Sequence, residues 1–163
     1  MAETPSTTER IEHTVRVDAP PETVFEYFTD PSKLVRWMGS EAILDPRPGG
    51  VCRFDVNGSK MVGEYVQVDF PSRIVFTWGW EARLFAVGEQ STAVEVSFTA
   101  DGDGTIVRLL HSRLPHGAVA FHRAGWDHYL ERLASAAAGN DPGPDPWRDI
   151  TLVLRAIDSA GQG

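Results

Sequence analysis

The sequence predicts an α+β fold in which a curved antiparallel sheet wraps around a long C-terminal helix. Three features predict it. Between residues 41 and 115 turn signals recur about every ten residues, Asn57-Gly58 and Asp101-Gly102-Asp103-Gly104 among them, as in an antiparallel meander. In "RIVFTWGW" the alternate positions Ile74, Phe76, Trp78 and Trp80 share one face of a strand. In "GWDHYLERL" the residues Trp126, Tyr129, Leu130 and Leu133 fall at i, i+3, i+4 and i+7, one stripe of a helix. A face and a stripe of this bulk must meet, and large rings do not always fill the space between them.

Each element has a local reason. "IEHTVRVDA" alternates Ile11, His13, Val15 and Val17 with polar residues and reads as the first strand. In "DAPPETVFEYFTD", Pro20 and Pro21 suit a first helical turn, Glu22 suits its positive end, and Val24, Phe25 and Phe28 form the apolar stripe. Asp30 is placed to cap a second short helix, "PSKLVRWM", with Pro31 at its first position and Gly39 at its end. "EAIL", a hairpin through Asn57-Gly58, "PSRIVFTWGW" and a second hairpin through residues 101–104 complete about seven strands. A long helix is expected from just after Pro115 to about Ala138, where Gly139, Pro142, Pro144 and Pro146 break it. Residues 1–10 read as a flexible N-terminus and 11–138 as the domain. Residues 139–163 read as a Pro/Gly-rich linker and extension, packed on the domain or partly disordered. Within it, Trp147 is expected to pack back on the body.

Composition narrows the function classes. A chain of 163 residues with 42% hydrophobic and 23% charged residues suits one soluble domain with its own core. A net charge of -8 without a basic run argues against nucleic-acid binding. The lone Cys52 forms no intramolecular disulfide or thiolate cluster, and a buried, inert thiol is expected. No apolar stretch approaches the roughly 20 residues of a membrane span, and the N-terminus lacks a signal-peptide pattern. Cytoplasmic residence is expected, as a monomer or homodimer.

The segments "VDAPPETVFEYFTDPSKLVRWMG", "GEYVQVDFPSRIVFTWGW", "GTIVRLLHSRLP" and "GWDHYLERL" resemble the Bet v 1/START-like (SRPBCC) superfamily. Within it they resemble most the branch named for the activator of the heat-shock protein 90 ATPase. The resemblance spans roughly Glu12 to Ala138, with the motifs in the family's order. It implies a helix-grip fold, a long helix gripped by a seven-stranded sheet, often around a hydrophobic cavity. It also implies a mixed set of functions: lipid and hormone binders, polyketide cyclases and co-chaperone domains. Fold alone does not choose among them.

Alternation supplies the residues that would line such a cavity. Cys52, Phe54 and Val56 share a face, as do Val94, Val96 and Phe98, and Val107, Leu109 and His111. With Phe76, Trp78 and Trp80 they form an apolar wall. The long helix adds Val119, His122, Trp126, Tyr129, Leu130 and Leu133, while Trp37 and Met38 are placed to form a lid or mouth. His111 and His122, both at inward positions, are either polar points for a ligand or core histidines bonded to the backbone. His116 and His128 lie off the stripe.

Neither a metal nor a cofactor is expected, because two histidines without a convergent carboxylate or cysteine do not complete a ligand set. No nucleophile elbow, phosphate loop or carboxylate pair is present. Glu64, Tyr65, Arg108 and His111 are the groups that a cyclase-like acid/base reaction would draw on. The reading that follows is a non-catalytic binder of a small hydrophobic or aromatic ligand held between sheet and long helix. A polyketide cyclase or aromatase-like enzyme is one alternative. A co-chaperone-like interaction domain with a chaperone partner is the other.

Overall fold

The structure is a computed structural model that describes residues 8–148. The first strand, β1 (Thr8–Val17), leads into two short helices, α1 (Pro21–Glu26) and α2 (Pro31–Leu34). The meander follows as β2 (Glu41–Leu44), β3 (Val51–Val56), β4 (Ser59–Asp69), β5 (Arg73–Trp78), β6 (Thr92–Asp101) and β7 (Gly104–Pro115). A single 3-10 turn, His116–Ala118, then opens into the long helix α3 (Val119–Ala137). All seven strands form one antiparallel sheet in the order β1-β7-β6-β5-β4-β3-β2. This is the helix-grip arrangement. Residues 149–163 of the expected linker and extension lie outside the described residues.

Local chemistry accounts for the boundaries. Asn57 and Gly58 both take positive φ, as a two-residue hairpin turn requires, and they join β3 to β4. The Asp30 carboxylate accepts from the Ser32 backbone N–H at 2.9 Å, capping α2 behind Pro31. α3 stops at Ala137, and Gly139 follows at φ 92°.

Two boundaries differ from expectation. β1 begins at Thr8 and not at Ile11, because Thr8 and Glu9 pair with Pro115 and Leu114 at the end of the long β7. Residues 8–10 therefore belong to the sheet and not to a flexible terminus. β5 ends at Trp78, so Trp80 lies beyond the strand, on an isolated bridge to Met61. Trp80 nonetheless keeps the inward phase and is buried. The chain turns away after it through a loop in which Arg83, Phe85, Ala86 and Gln90 all have positive φ.

The core lies between the concave sheet face and the apolar stripe of α3. Val94, Val96, Val107 and Leu109 from the sheet and Leu130, Leu133 and Ala136 from the helix are completely buried. Two short helices close one end, and buried donors hold them there. Trp37 Nε1 donates to the Tyr27 carbonyl at 2.9 Å, and the Tyr65 hydroxyl donates to the Phe28 carbonyl at 2.9 Å. The Tyr27 hydroxyl donates to the Ala136 carbonyl at 3.2 Å, tying α1 to the last turn of α3. The Tyr27 and Phe28 carbonyls lie at the end of α1, where a helix leaves carbonyls without partners.

Gly79 is the position where the loop after β5 tolerates no side chain. A Cβ there would stand 1.8 Å from the Gly88 carbonyl oxygen and 2.7 Å from the Gln90 nitrogen, both backbone atoms. Gly79→Ala is expected to destabilise the fold by about 2 kcal/mol or more, because neither strand nor loop yields cheaply. Urea unfolding of the two proteins checks this, and an unchanged midpoint would contradict it.

Candidate functional site

Trp78, the last residue of β5, sits at the centre of the rings contributed by sheet and helix. Its ring meets Phe54 of β3 at 5.7 Å, Trp80 at 5.3 Å, His111 of β7 at 5.5 Å and Trp126 of α3 at 5.1 Å between centroids. Phe76 and His122 stand farther out, at 6.5 and 6.3 Å. Most of these contacts are edge-to-face or tilted, the arrangements that ring quadrupoles favour. Phe98 belongs to a second group at the other end, against Phe25 and Phe28 at 5.4 Å each. Val96, Leu109 and Leu130 are completely buried, and Val56 is half-buried at the edge of the core. Trp37 and Met38 are buried too, so they stand within the wall and not on an exposed rim.

The two inward histidines have defined tautomers. Trp126 Nε1–H donates to His111 Nδ1 at 3.0 Å, so the His111 proton sits on Nε2. Nε2–H then donates to Thr92 Oγ1 at 2.8 Å, and the Thr92 hydroxyl donates to the Trp78 carbonyl at 2.8 Å. In His122 the order is reversed: Nε2 accepts from Trp80 Nε1–H at 3.0 Å, and Nδ1–H donates to the Ala118 carbonyl at 2.8 Å. All four ring nitrogens are engaged. A second proton on either ring would set N–H against indole N–H. Burial, reinforced by the neighbouring His122, pushes the His111 pKa well below its ordinary value. Burial likewise lowers His122 to about 4, opposed by its bond to the Ala118 carbonyl.

Other candidate groups are not brought together. Glu64 and Arg108 lie on the exposed outer face, Arg108 bonded to Glu12 at 2.8 Å. Tyr65 points inward but commits its hydroxyl to Phe28, so no acid/base set assembles around His111. Burial pushes the Cys52 thiol up to about 12, which keeps it protonated and unreactive. Among the described residues, no group of three or more His, Cys, Asp or Glu side chains is arranged to hold a metal ion. Nor is any described helix long and apolar enough to cross a membrane.

Sequence reasoning passed over a polar cluster at the C-terminal half of α3. Asp145 accepts from His128 Nε2 at 2.8 Å and from the Tyr129 hydroxyl at 2.6 Å. Asn57 Nδ2 donates to the same hydroxyl at 2.9 Å. Trp147 stacks flat on the His128 ring at 4.2 Å and 4°, packing back on the body as expected. Arg132 donates to the Trp37 and Gly143 carbonyls at 3.1 and 2.9 Å. Residues 139–148 are thereby held across α3 as a strap. A cleft of about 740 Å³ opens beside it, lined by Arg36, Ser40, Asn57, Arg132, Pro142 and Asp145 among others. The one sequence signal for the strap is the pairing of His128 and Tyr129 with an acidic, proline-rich segment that ends in Trp147.

Burial raises the Asp145 pKa, but the bonds from His128, Tyr129 and the Trp147 N–H outweigh it and hold the carboxylate at about 2. Asp145→Ala removes the acceptor shared by His128 and Tyr129. It should destabilise the protein by about 1–3 kcal/mol and speed amide exchange across 139–148 relative to the sheet. Equal exchange in the two proteins would show that the carboxylate does not hold the strap.

His122 makes a second prediction. Its pKa falls from 6.5 in an ordinary environment to about 4 in the fold, so its contribution is complete above 6.5 and declines as pH falls toward 4. The loss is about 3 kcal/mol, with His111 acting in the same direction. The urea midpoint should therefore drop between pH 7 and 4, and less steeply in His122→Gln. A profile that is identical in the variant would contradict the assignment.

With this geometry in place, the comparisons with known proteins are direct. Residues 18–138 match the family described as "Activator of Hsp90 ATPase homolog 1-like protein". The solution structure of an AHSA1-like protein from Rhizobium etli is 39% identical, with a TM-score of 0.67 over 86% of this chain and 88% of that one. CalU16 from Micromonospora echinospora is 25% identical, with a TM-score of 0.71 over 95% of this chain and 88% of that one. An HSP90 activator from Plasmodium falciparum is 27% identical, with a TM-score of 0.66 over 76% and 92%. No curated protein matches the sequence.

Proposed function

The chain belongs to the Activator of Hsp90 ATPase homolog 1-like family, and within that family we propose that it binds a small hydrophobic or aromatic ligand between the sheet and α3. One observation carries the reading: the interior around Trp78 is built of rings and, among the described residues, holds no ionised group. The buried polar residues among those described are Thr92, Thr105, His111 and His122, and both histidines are held neutral. Such a lining favours apolar, planar molecules and rejects charged ones. The cleft beside the strap offers an approach. Asn57 and Asp145 line it, and both bond the hydroxyl of Tyr129, which lies one turn along α3 from Trp126. Cytoplasmic residence goes with this reading.

The binding is non-catalytic in this proposal. Neither histidine has a free ring nitrogen with which to move a proton, and Glu64 and Arg108 face away from the enclosure. A cyclase-like enzyme is therefore the weaker alternative. A protein-interaction role has one specific support, the 27% identity to an HSP90 activator, together with a net charge of -8 that suits a basic partner. Acceleration of a chaperone ATPase by the purified chain would favour that role.

Ligand binding is tested by native mass spectrometry and by quenching of tryptophan fluorescence against a panel of lipids and aromatic metabolites. A saturable one-to-one adduct that quenches the emission is expected from neutral aromatic compounds. Absence of saturable binding across the panel would overturn the proposal.

A further inference from the structure

The indoles of the core differ in one respect. Trp37 donates its N–H to the Tyr27 carbonyl, Trp80 to His122 Nε2 and Trp126 to His111 Nδ1. Trp78 Nε1, in a side chain 4% exposed, has no partner among the described residues. The acceptors on the two histidine rings that it meets are already committed, His111 Nδ1 to Trp126 and His122 Nε2 to Trp80. Buried donors are almost always satisfied by protein or by an ordered molecule, so an orphan at the centre of a candidate site points to something that arrives from outside. The same ring stands at the centre of the cluster, against Phe54, Phe76, Trp80, His111, His122 and Trp126. Its neighbours hold it by ring contacts alone, so displacing it breaks no side-chain hydrogen bond, whereas moving Trp37, Trp80 or Trp126 would.

From these observations, and resting on the ligand-binding reading above, we infer that Trp78 is the specificity-determining residue of the site. Its Nε1–H is the polar anchor for a neutral aromatic ligand that carries a hydrogen-bond-accepting oxygen, a ketone, quinone or aryl ether. An ionised carboxylate would gain the same hydrogen bond but would enter an enclosure with no cation to meet it. The histidines do not supply that cation. Their burial keeps them neutral, and protonation would break the bonds to Trp80 or Trp126. A pure hydrocarbon would make ring contacts and leave the donor orphaned. The class of ligand is thus fixed by one N–H.

A matched trio of probes tests this: naphthalene, 2-acetylnaphthalene and 2-naphthoate, titrated into the full chain and into Trp78→Phe. The ketone is expected to bind the unmodified protein about three- to tenfold more tightly than the hydrocarbon, the range of one net hydrogen bond, and the carboxylate most weakly. In Trp78→Phe the advantage of the ketone over the hydrocarbon should vanish, whatever affinity both lose together. If the variant does not fold, the ¹⁵N–¹H indole spectrum of the unmodified protein decides. The ketone, and not the hydrocarbon, should move the Trp78 indole resonance downfield. Equal affinity for ketone and hydrocarbon with that resonance unmoved would overturn the inference and leave the apolar site standing. Tightest binding of the carboxylate, or a shift confined to another indole, would also overturn it. Failure of all three probes to bind would overturn this inference, and the wider panel then decides whether the ligand-binding reading stands.

Discussion

The interaction on which the structure depends is the buried relay from Trp126 through His111 and Thr92 to the Trp78 carbonyl. It crosses three strands and the helix, and each link donates in the same direction, so each bond strengthens the next. Apolar packing is tolerant of small slips; a chain of hydrogen bonds in a dry interior is not. Moving α3 by one residue would strand an indole donor and an imidazole acceptor together, at a cost comparable to a large share of a domain's net stability. The second histidine repeats the device one turn earlier on α3, where Trp80 meets His122 and His122 meets the Ala118 carbonyl. Rings give this core its bulk. The two histidines give it its register.

This constraint also shapes the chemistry of the interior. Histidines in a cleft are ordinarily read as acid/base groups, but here both nitrogens of both rings are committed to the fold. What remains is a dry interior of packed rings and neutral polar groups, in which the Trp78 indole N–H has no partner among the described residues. The strap at the other half of α3 works by different physics. A carboxylate, a phenol, an amide and an imidazole converge at the edge of solvent, where charge-assisted bonds are affordable and a segment with little apolar surface can still be held. One end of the helix is thus held by neutral bonds in the dry core and the other by charge at the surface.

The order of elements, the two hairpins, the Asp30 cap and the inward phase of β1, β3, β5, β6 and β7 were readable in the sequence. All of them rest on periodicity and on turn residues that act within a few positions of the chain. The inward placement of His111 and His122 was readable for the same reason. Their hydrogen-bond partners were not, because Trp126 and Trp80 reach them from elements distant in sequence. Trp80 itself was assigned to β5, since alternation continues through it, and only the backbone approach of Gly88 to Gly79 shows where the strand ends. The start of β1 was misplaced because Thr8 and Glu9 owe their extended conformation to β7, not to their own pattern. His128 was set aside as off the stripe. That was correct for the core and silent about Asp145, whose position depends on the path of a proline-rich segment.

The amino-acid pattern alone was enough for an antiparallel meander with a helix across it, an apolar interior and an acidic net charge, because these follow from local periods and from composition. Which polar atoms inside that fold are occupied is a different kind of fact. It depends on side chains from separate elements meeting within about 3 Å, and hydrogen bonding falls away steeply beyond that range. Tertiary packing therefore engaged both inward histidines in bonds within the fold and left the Trp78 N–H without a partner among the described residues.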